Sequence, residues 1–490
     1  MISWIERAIE TVSPRWASER AMWREYHAWA AGGYRGAITT RLAGGTPPTQ
    51  GSPDFHAEND YSRELIADRA QQLCRDNCLA RGIVERAADN IVSRGIRPQA
   101  RTDDPQWNAR AEELFNAWAE GEADCRRMSS FWELQRLLTI SYLRDGDVGV
   151  VMLGDGSLQP IEAQRIAAPL GMERSPNHVD GIDLHPKTGR PLRFHVVERR
   201  PDETYLAQYR DMPERTTVSA ERMLFIARRQ SPSQTRGESC LAQSVELFVH
   251  IDRLLEAVVT AARMAACFGV MIEQPMPYGG LPTETSRSGA SSQSWKIEPA
   301  MVKRIRPGEK VSTLSPAQPT QSLDGFVRLL ARVAGTPLGL PLELVLLDFS
   351  ETNYSSARAS LLQAQRSFRI HQQQLIDRIL RPIWRWKIRH WIEDGELEPR
   401  SDAATHEWIP PGWPWVDPVK ELQAAQMAVD SGLATVSEIA SEQGKDFNSL
   451  LAARAQELAD MRDAGLPETR STMTREPMTQ AQPAVEVPNG

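Results

Sequence analysis

The stretch SLDGFVRLLARVAGTPLGLPLELVLLDFSETNYSSAR, residues 322–358, decides the fold. Leu323, Phe326, Val327, Leu330 and Ala334 recur at three- and four-residue intervals, which predicts a helix over 322–334. Gly335-Thr336-Pro337-Leu338-Gly339-Leu340-Pro341 then breaks the period, because two prolines fix the backbone and two glycines free it. From Asn353 a helical pattern resumes and runs to Ile392, with a kink expected at Pro382. Two long helices joined by a stiff, irregular connection are a frame around which the other pieces must be arranged.

Upstream, residues 241–268 lack Gly until Phe268 and lack Pro, and read as one helix of roughly 40 Å at 1.5 Å per residue. Glu246, Asp252, Arg253, Glu256 and Arg263 interrupt its apolar run, so it is not a membrane span. Between the two helices, residues 275–294 are rich in Gly, Ser, Thr and Pro, and 295–314 carry strand-like fragments with Lys296, Lys303, Arg304, Arg306 and Lys310. Further back, short strand-like runs at Val148–Leu153, Phe194–Val197 and Met223–Ile226 indicate a mixed α/β region. Helices are expected at 2–29, 60–93, 105–120 and 130–144, the last two after Asp104 and Ser129 as caps. Residues 408–415 read as a Trp- and Pro-rich turn, 417–463 as a helical pair broken near Gly432, and the stretch beyond Pro467 as a disordered polar tail.

Composition narrows the chemistry. The chain has 490 residues and a formal net charge of -7, which argues against a surface built to grip phosphates. Five scattered cysteines suit a reducing compartment better than a disulfide framework, and Cys74 and Cys78 lack further ligands at metal spacing. The N-terminal stretch carries charges among its apolar residues, as an export signal does not. Asp145-Gly146-Asp147 and Gly154-Asp155-Gly156 have neither calcium-loop nor P-loop spacing and read as tight turns. The histidines read as isolated, with His371 and His390 packed or on the surface, and no Gly-x-Ser-x-Gly elbow is present. No catalytic constellation, cofactor site or metal site is expected, and an enzyme is not. Arg358, Arg366, Arg369, Arg378, Arg381, Arg385 and Arg389 read as a solvated or subunit-contact face rather than as phosphate contacts.

Several stretches, in their joint order, carry a resemblance. They are Asp76-Asn77-Cys78-Leu79-Ala80-Arg81-Gly82 with Asp89-Asn90-Ile91-Val92, Phe131-Trp132-Glu133-Leu134-Gln135, and Asp145-Gly146-Asp147. Leu158 to Ile166, Gly181-Ile182-Asp183 with Gly189-Arg190-Pro191, Asn353-Tyr354-Ser355-Ser356-Ala357-Arg358 and Trp415-Val416-Asp417-Pro418-Val419-Lys420-Glu421 follow. In this order the sequence resembles the portal proteins of tailed bacteriophages, lambda family. Ser93-Arg94-Gly95 stands where the family usually has valine-glycine.

The resemblance implies a mainly helical α+β portal fold of wing, stem, clip and crown, assembled with itself as a ring of about twelve subunits around a central channel. On that basis residues 1–58 are an N-terminal helix and mobile loop, 59–237 the wing, 238–270 and 322–334 the stem helices, and 271–321 the clip. Residues 335–352 become a tunnel loop facing the DNA, with Gly335, Thr336, Pro337, Gly339, Pro341, Glu343, Asp348 and Glu351 as its site residues. Residues 353–416 return through the wing, 417–466 form the crown and 467–490 the tail. Lys296, Lys303, Arg304, Arg306 and Lys310 are expected to dock a partner at the clip. Implied partners are the terminase large subunit, the major capsid or scaffold protein, a head-completion connector protein, and double-stranded DNA passing without sequence specificity. No P-loop is present, so force must come from a partner. The implied location is the virion, at one capsid vertex, with assembly in the host cytoplasm. Alternatives are a structural ring or adaptor that conducts no DNA, and a metal-dependent DNA-processing enzyme.

Overall fold

The computed structural model describes residues 55–168, 177–198, 215–266, 269–273, 310–314, 322–350, 352–413 and 417–465. The expected helix at 2–29 and the tail beyond 467 lie outside them. The chain divides into two units, residues 1–410 and 411–490.

The first unit opens with α1 (Phe55–Asp76) and α2 (Cys78–Val92). A single helix was expected here. Asn77 divides it, because its backbone is extended and its side chain accepts the Ala80 N–H as an N-cap. β1 (Arg97–Ala100), α3 (Pro105–Gly121) and α4 (Phe131–Asp145) follow. Asp104 caps α3 as its sequence predicts. For α4 the cap is Ser130 rather than Ser129, since Ser130 and Glu133 close a reciprocal capping box.

β2 (Asp147–Met152) lies between β3 (Leu158–Glu162) and β8 (Met223–Ala227) in an antiparallel sheet, and β4 (His178–Val179), β5 (Ile182–Leu184), β6 (Pro191–Val197) and β7 (Arg215–Ser219) form a second. The two sheets share one apolar cluster, Val151, Ile161, Ile166, Ile182, Phe194, Val196 and Met223. Alternation along β2 and β6 sends these side chains to the common face.

α5 (Val245–Ala266) starts four residues later than its period suggests, because Ser239 and Leu241 carbonyls take up turn bonds from Ala242 and Ser244. β9 (Gly269–Glu273) pairs with β10 (Lys310–Leu314), then α6 (Ser322–Gly335) and the short α7 (Leu342–Leu346) lead to α8 (Tyr354–Leu375). The kink expected at Pro382 takes the form of a π-helical turn, Ile376–Leu380, before α9 (Arg381–Glu393). Proline offers no N–H to the carbonyl of residue 378, and the backbone widens just ahead of it. β11 (His406–Ile409) pairs with β1, Pro98 opposite Trp408, so the expected turn at 408–415 begins as a strand.

An aromatic core joins these helices. Phe115 of α3 lies 5.2 Å from Trp118, 5.7 Å from Phe131, 5.2 Å from Trp384 and 5.9 Å from Trp408, ring centre to ring centre. Such edge-on and tilted pairs add to the area they bury. Lys387 of α9 is buried here with its Nζ 5.1 Å from Trp118 and 4.8 Å from Trp391, and burial lowers its pKa to about 8.

The second unit contains α10 (Pro418–Asp430), α11 (Val436–Glu442) and α12 (Phe447–Asp463). A pair was expected. Gly432 and Gly444, both at positive φ, break it twice. Among the described residues no helix is long and apolar enough to cross a membrane.

Candidate channel segment

The segment between α6 and α8 has two halves with different holds on the rest of the first unit. In the first, Gly335 has ordinary helical backbone, and its lack of a side chain is a matter of space: a Cβ would lie 2.6 Å from Val345 Cγ2 and 2.7 Å from the Leu340 carbonyl oxygen. Thr336, whose hydroxyl donates to the Arg332 carbonyl at 3.2 Å, begins a 3-10 turn with Pro337. Gly339, at φ 65, closes that turn in the left-handed region. Pro341 then starts α7, and Leu338, Leu340 and Val345 are buried.

Three side chains from elsewhere fasten this half. Arg86 of α2 donates to the Val345 carbonyl at 2.7 Å, Arg228 beyond β8 to the Pro337 carbonyl at 3.1 Å, and Ser367 of α8 to the Leu338 carbonyl at 3.3 Å. Each satisfies a carbonyl that the irregular backbone leaves without a ladder partner. The prolines and glycines expected to give a bend therefore give a packed corner.

The second half, Leu347–Ser350, is different. Leu347 sits in the left-handed region at φ 55 and is 60% exposed, and Phe349 is 46% exposed. A leucine there carries backbone strain. Asp348 between them accepts the Ser350 amide at 3.0 Å and the Ser350 hydroxyl at 2.6 Å, and takes a 2.8 Å ion pair from Arg328 of α6. The Ser350 bonds first, and Arg328 after them, hold the Asp348 carboxyl below its ordinary pKa. Arg328 also donates to Asp324 at 2.7 Å. A polar cavity of about 330 Å³ lies here, lined by Arg328, Arg332, Glu343, Asp348, Thr352 and Ser360. Glu343 is buried, and Glu351 falls outside the described residues.

Of the basic residues expected at the clip, Lys296, Lys303, Arg304 and Arg306 also lie outside the described residues. Lys310 opens β10 opposite Glu273. Along the C-terminal arginine row, Arg366, Arg369, Arg378, Arg385 and Arg389 are exposed, while Arg381 pairs with Asp377 at 2.6 Å.

Sequence reasoning missed the charge that ties the two sheets together. Arg236, fully buried, clamps the buried Asp147 through Nε at 2.8 Å and Nη2 at 3.0 Å, and donates to the Ala163, Ile166 and Asp180 carbonyls. The Gly237 amide is a third donor to Asp147, at 2.8 Å. Burial opposes the guanidinium's charge, but Asp147 and Asp180 outweigh it and raise the Arg236 pKa. Arg63 of α1 pairs with Asp180. Asp145-Gly146-Asp147 is thus a turn, as read, whose second carboxylate is filled by arginine. The signal available was a pair of carboxylates next to apolar strand residues, which in a core demands a buried cation.

The histidines are not all isolated. His178, Asp183 and His195 are buried with ligand-capable atoms within 4.8 Å of one another. His178 Nδ1 lies 2.8 Å from Asp183, while its Nε2 accepts the Gly181 amide at 3.1 Å. That pairing places the proton on Nδ1 and the Gly181 amide occupies the Nε2 lone pair, so neither nitrogen of His178 is left for a metal, and Arg193 also holds Asp183 at 3.0 Å. The set fits a hydrogen-bonded hub better than a metal centre. His371 is largely buried in contact with the Tyr142 hydroxyl, and burial lowers its pKa to about 4.

Comparisons with known proteins give the chain its relatives. The family model for phage portal protein, lambda family, matches residues 39–372. The portal protein of Escherichia phage N15 is 21% identical over 500 aligned residues, covering 90% of this chain and 92% of that protein. Portal protein B of Escherichia phage lambda is 22% identical over 505, covering 90% and 91%. Among solved structures, the neck of a native gene transfer agent particle computed with C12 symmetry aligns with a TM-score of 0.45 at 13% identity, over 77% of this chain and 93% of that one. An HK97 family phage portal protein from Corynebacterium diphtheriae aligns with a TM-score of 0.29 at 13% identity, over 61% and 84%. With more than half of its 490 residues matched by one family model, this chain belongs to the lambda family of phage portal proteins.

Proposed function

We propose how this portal protein, a structural subunit serving DNA packaging and ejection, is built for the task. About twelve copies close into a ring. Residues 59–237 form the wing, 238–270 and 322–334 the stem, 271–321 the clip, 335–352 the channel-facing segment, 353–416 the return through the wing and 417–466 the crown. The observation that carries this reading is the segment between α6 and α8, anchored to the wing at 335–346 and presenting exposed Leu347 and Phe349 beyond. Phe326, Leu329 and Val333 of α6 are also exposed at helical spacing, a face suited to a neighbouring copy.

The net charge of -7 per subunit, repeated round a ring, repels phosphate, so duplex DNA slides through with few contacts. The ring performs no chemistry on the DNA. Force comes from a terminase large subunit docked at the clip, and a head-completion protein later takes that place; the capsid or scaffold protein holds the wing. The ring assembles in the host cytoplasm and resides at one vertex of the virion. Electron microscopy of the purified protein, with its mass in solution, tests this reading. Rings of about a dozen subunits with a hole of duplex width are expected. A monomer or dimer at every salt concentration refutes it, a ring too narrow for DNA returns the adaptor alternative, and metal-dependent nicking of plasmid returns the enzyme.

A further inference from the structure

We propose that Arg328 is a partner-switching cation that holds the Leu347–Ser350 turn against α6 through Asp348 and releases it to a phosphodiester group. The inference rests on the reading of 335–352 as channel-facing. Four observations converge on it. Asp348 is the turn's charged tie to α6, through one 2.8 Å ion pair. Its flanking residues Leu347 and Phe349 are exposed, so apolar packing adds little hold. Leu347 is in the left-handed region, so the held state is strained and release relieves it. Arg328 lines a cavity with Arg332 and Ser360, which offers an incoming phosphate a second guanidinium and a hydroxyl.

The carboxylate and the phosphate compete for one fork of N–H donors. While Asp348 holds Arg328 Nη2 and Asp324 its Nε, the cavity is lined by Arg328 and Arg332 and by the carboxylates of Glu343 and Asp348. When a phosphate takes Arg328, Asp348 retains its bonds to Ser350 and leaves with the turn as one piece. The Thr352 amide and hydroxyl bonds to the Phe349 carbonyl travel with it. Each subunit would thus yield as a phosphate passes and re-form its tie behind it.

Amide hydrogen exchange across 347–352, measured on the full-length protein in inorganic phosphate and in chloride of equal ionic strength, tests the switch. Phosphate is expected to speed exchange in the wild type and chloride to leave it slow. Asp348→Asn keeps an acceptor for Ser350 but loses the ion pair, and is expected to exchange about tenfold faster in both salts. Arg328→Gln should match it and ignore phosphate. Leu347→Asn, at ease in the left-handed region, should blunt the phosphate response. Equal exchange in wild type and both charge variants, or an equal response to chloride, overturns the switch. A photo-crosslinking residue at 349 separates the underlying reading: a phosphate response with no crosslink to packaged DNA overturns residues 335–352 as channel wall, and with it DNA as the source of the phosphate.

Discussion

The described residues of the first unit and those of the second, 417–465, are both rich in helix, yet they differ in what they bury. The first encloses Phe115, Phe131, Trp384 and a fully buried arginine, whereas α10 and α12 bury no residue and α11 only Ala440. Met427 and Leu433 of the second unit are 71% and 84% exposed. Helical pattern alone does not make a core, since tertiary packing of an apolar face supplies most helix stability. The first unit has that packing within one chain. The second leaves its apolar side chains exposed within the chain.

Three changes probe this contrast. The largest effect is expected at Arg236. Arg236→Met strands the Asp147 carboxylate in the core and should cost about 3–5 kcal/mol in denaturant unfolding, with most of the loss recovered in Arg236→Met/Asp147→Leu. A single variant within 1 kcal/mol of wild type, an estimate well below that range, would mean the hub is not what holds the sheets.

Lys387 gives a smaller, pH-dependent effect. Its folded pKa of about 8 lies below the ordinary lysine value of 10.5, so the folded state binds fewer protons than the unfolded chain between those values. Stability should therefore rise with pH across that window, by up to about 1.4 kcal/mol per unit, and be flat below about 8, where both states carry the proton. Lys387→Met should flatten this part of the curve. A slope unchanged by the substitution would assign it to other groups.

The smallest effect is expected in the second unit. Met427→Ser and Leu433→Ser should change the melting of dissociated subunits by less than about 0.5 kcal/mol, as surface changes do, while lowering the yield of rings. A loss above about 2 kcal/mol in the dissociated chain would reveal a core within the second unit and erase the contrast.

Much of this molecule was legible in its sequence where the cause is local. Asp104 before Pro105 announced α3, and the alternation after Asp147 announced β2. Asn77 was visible too, but a capping residue inside a continuous apolar period does not declare which role it takes until its side chain is seen to accept the Ala80 amide. Within the candidate segment, Pro337 and Gly339 marked a turn. Arg86, Arg228 and Arg328 gave no sign of fastening it, since each is one arginine among many and reaches it from another part of the chain.

The sequence by itself determined the order of helices and strands, the absence of a phosphate-gripping charge balance, and the family. Those follow from periodicity, caps, composition and motif order, which are properties of neighbours along the chain. Only the tertiary structure decided that Asp147 is filled by Arg236, that Gly335 is needed for space rather than for bending, and that Asp348 is held by Arg328. Each depends on two groups brought together from distant positions, where burial makes a charge seek its partner and close packing leaves no room for a side chain.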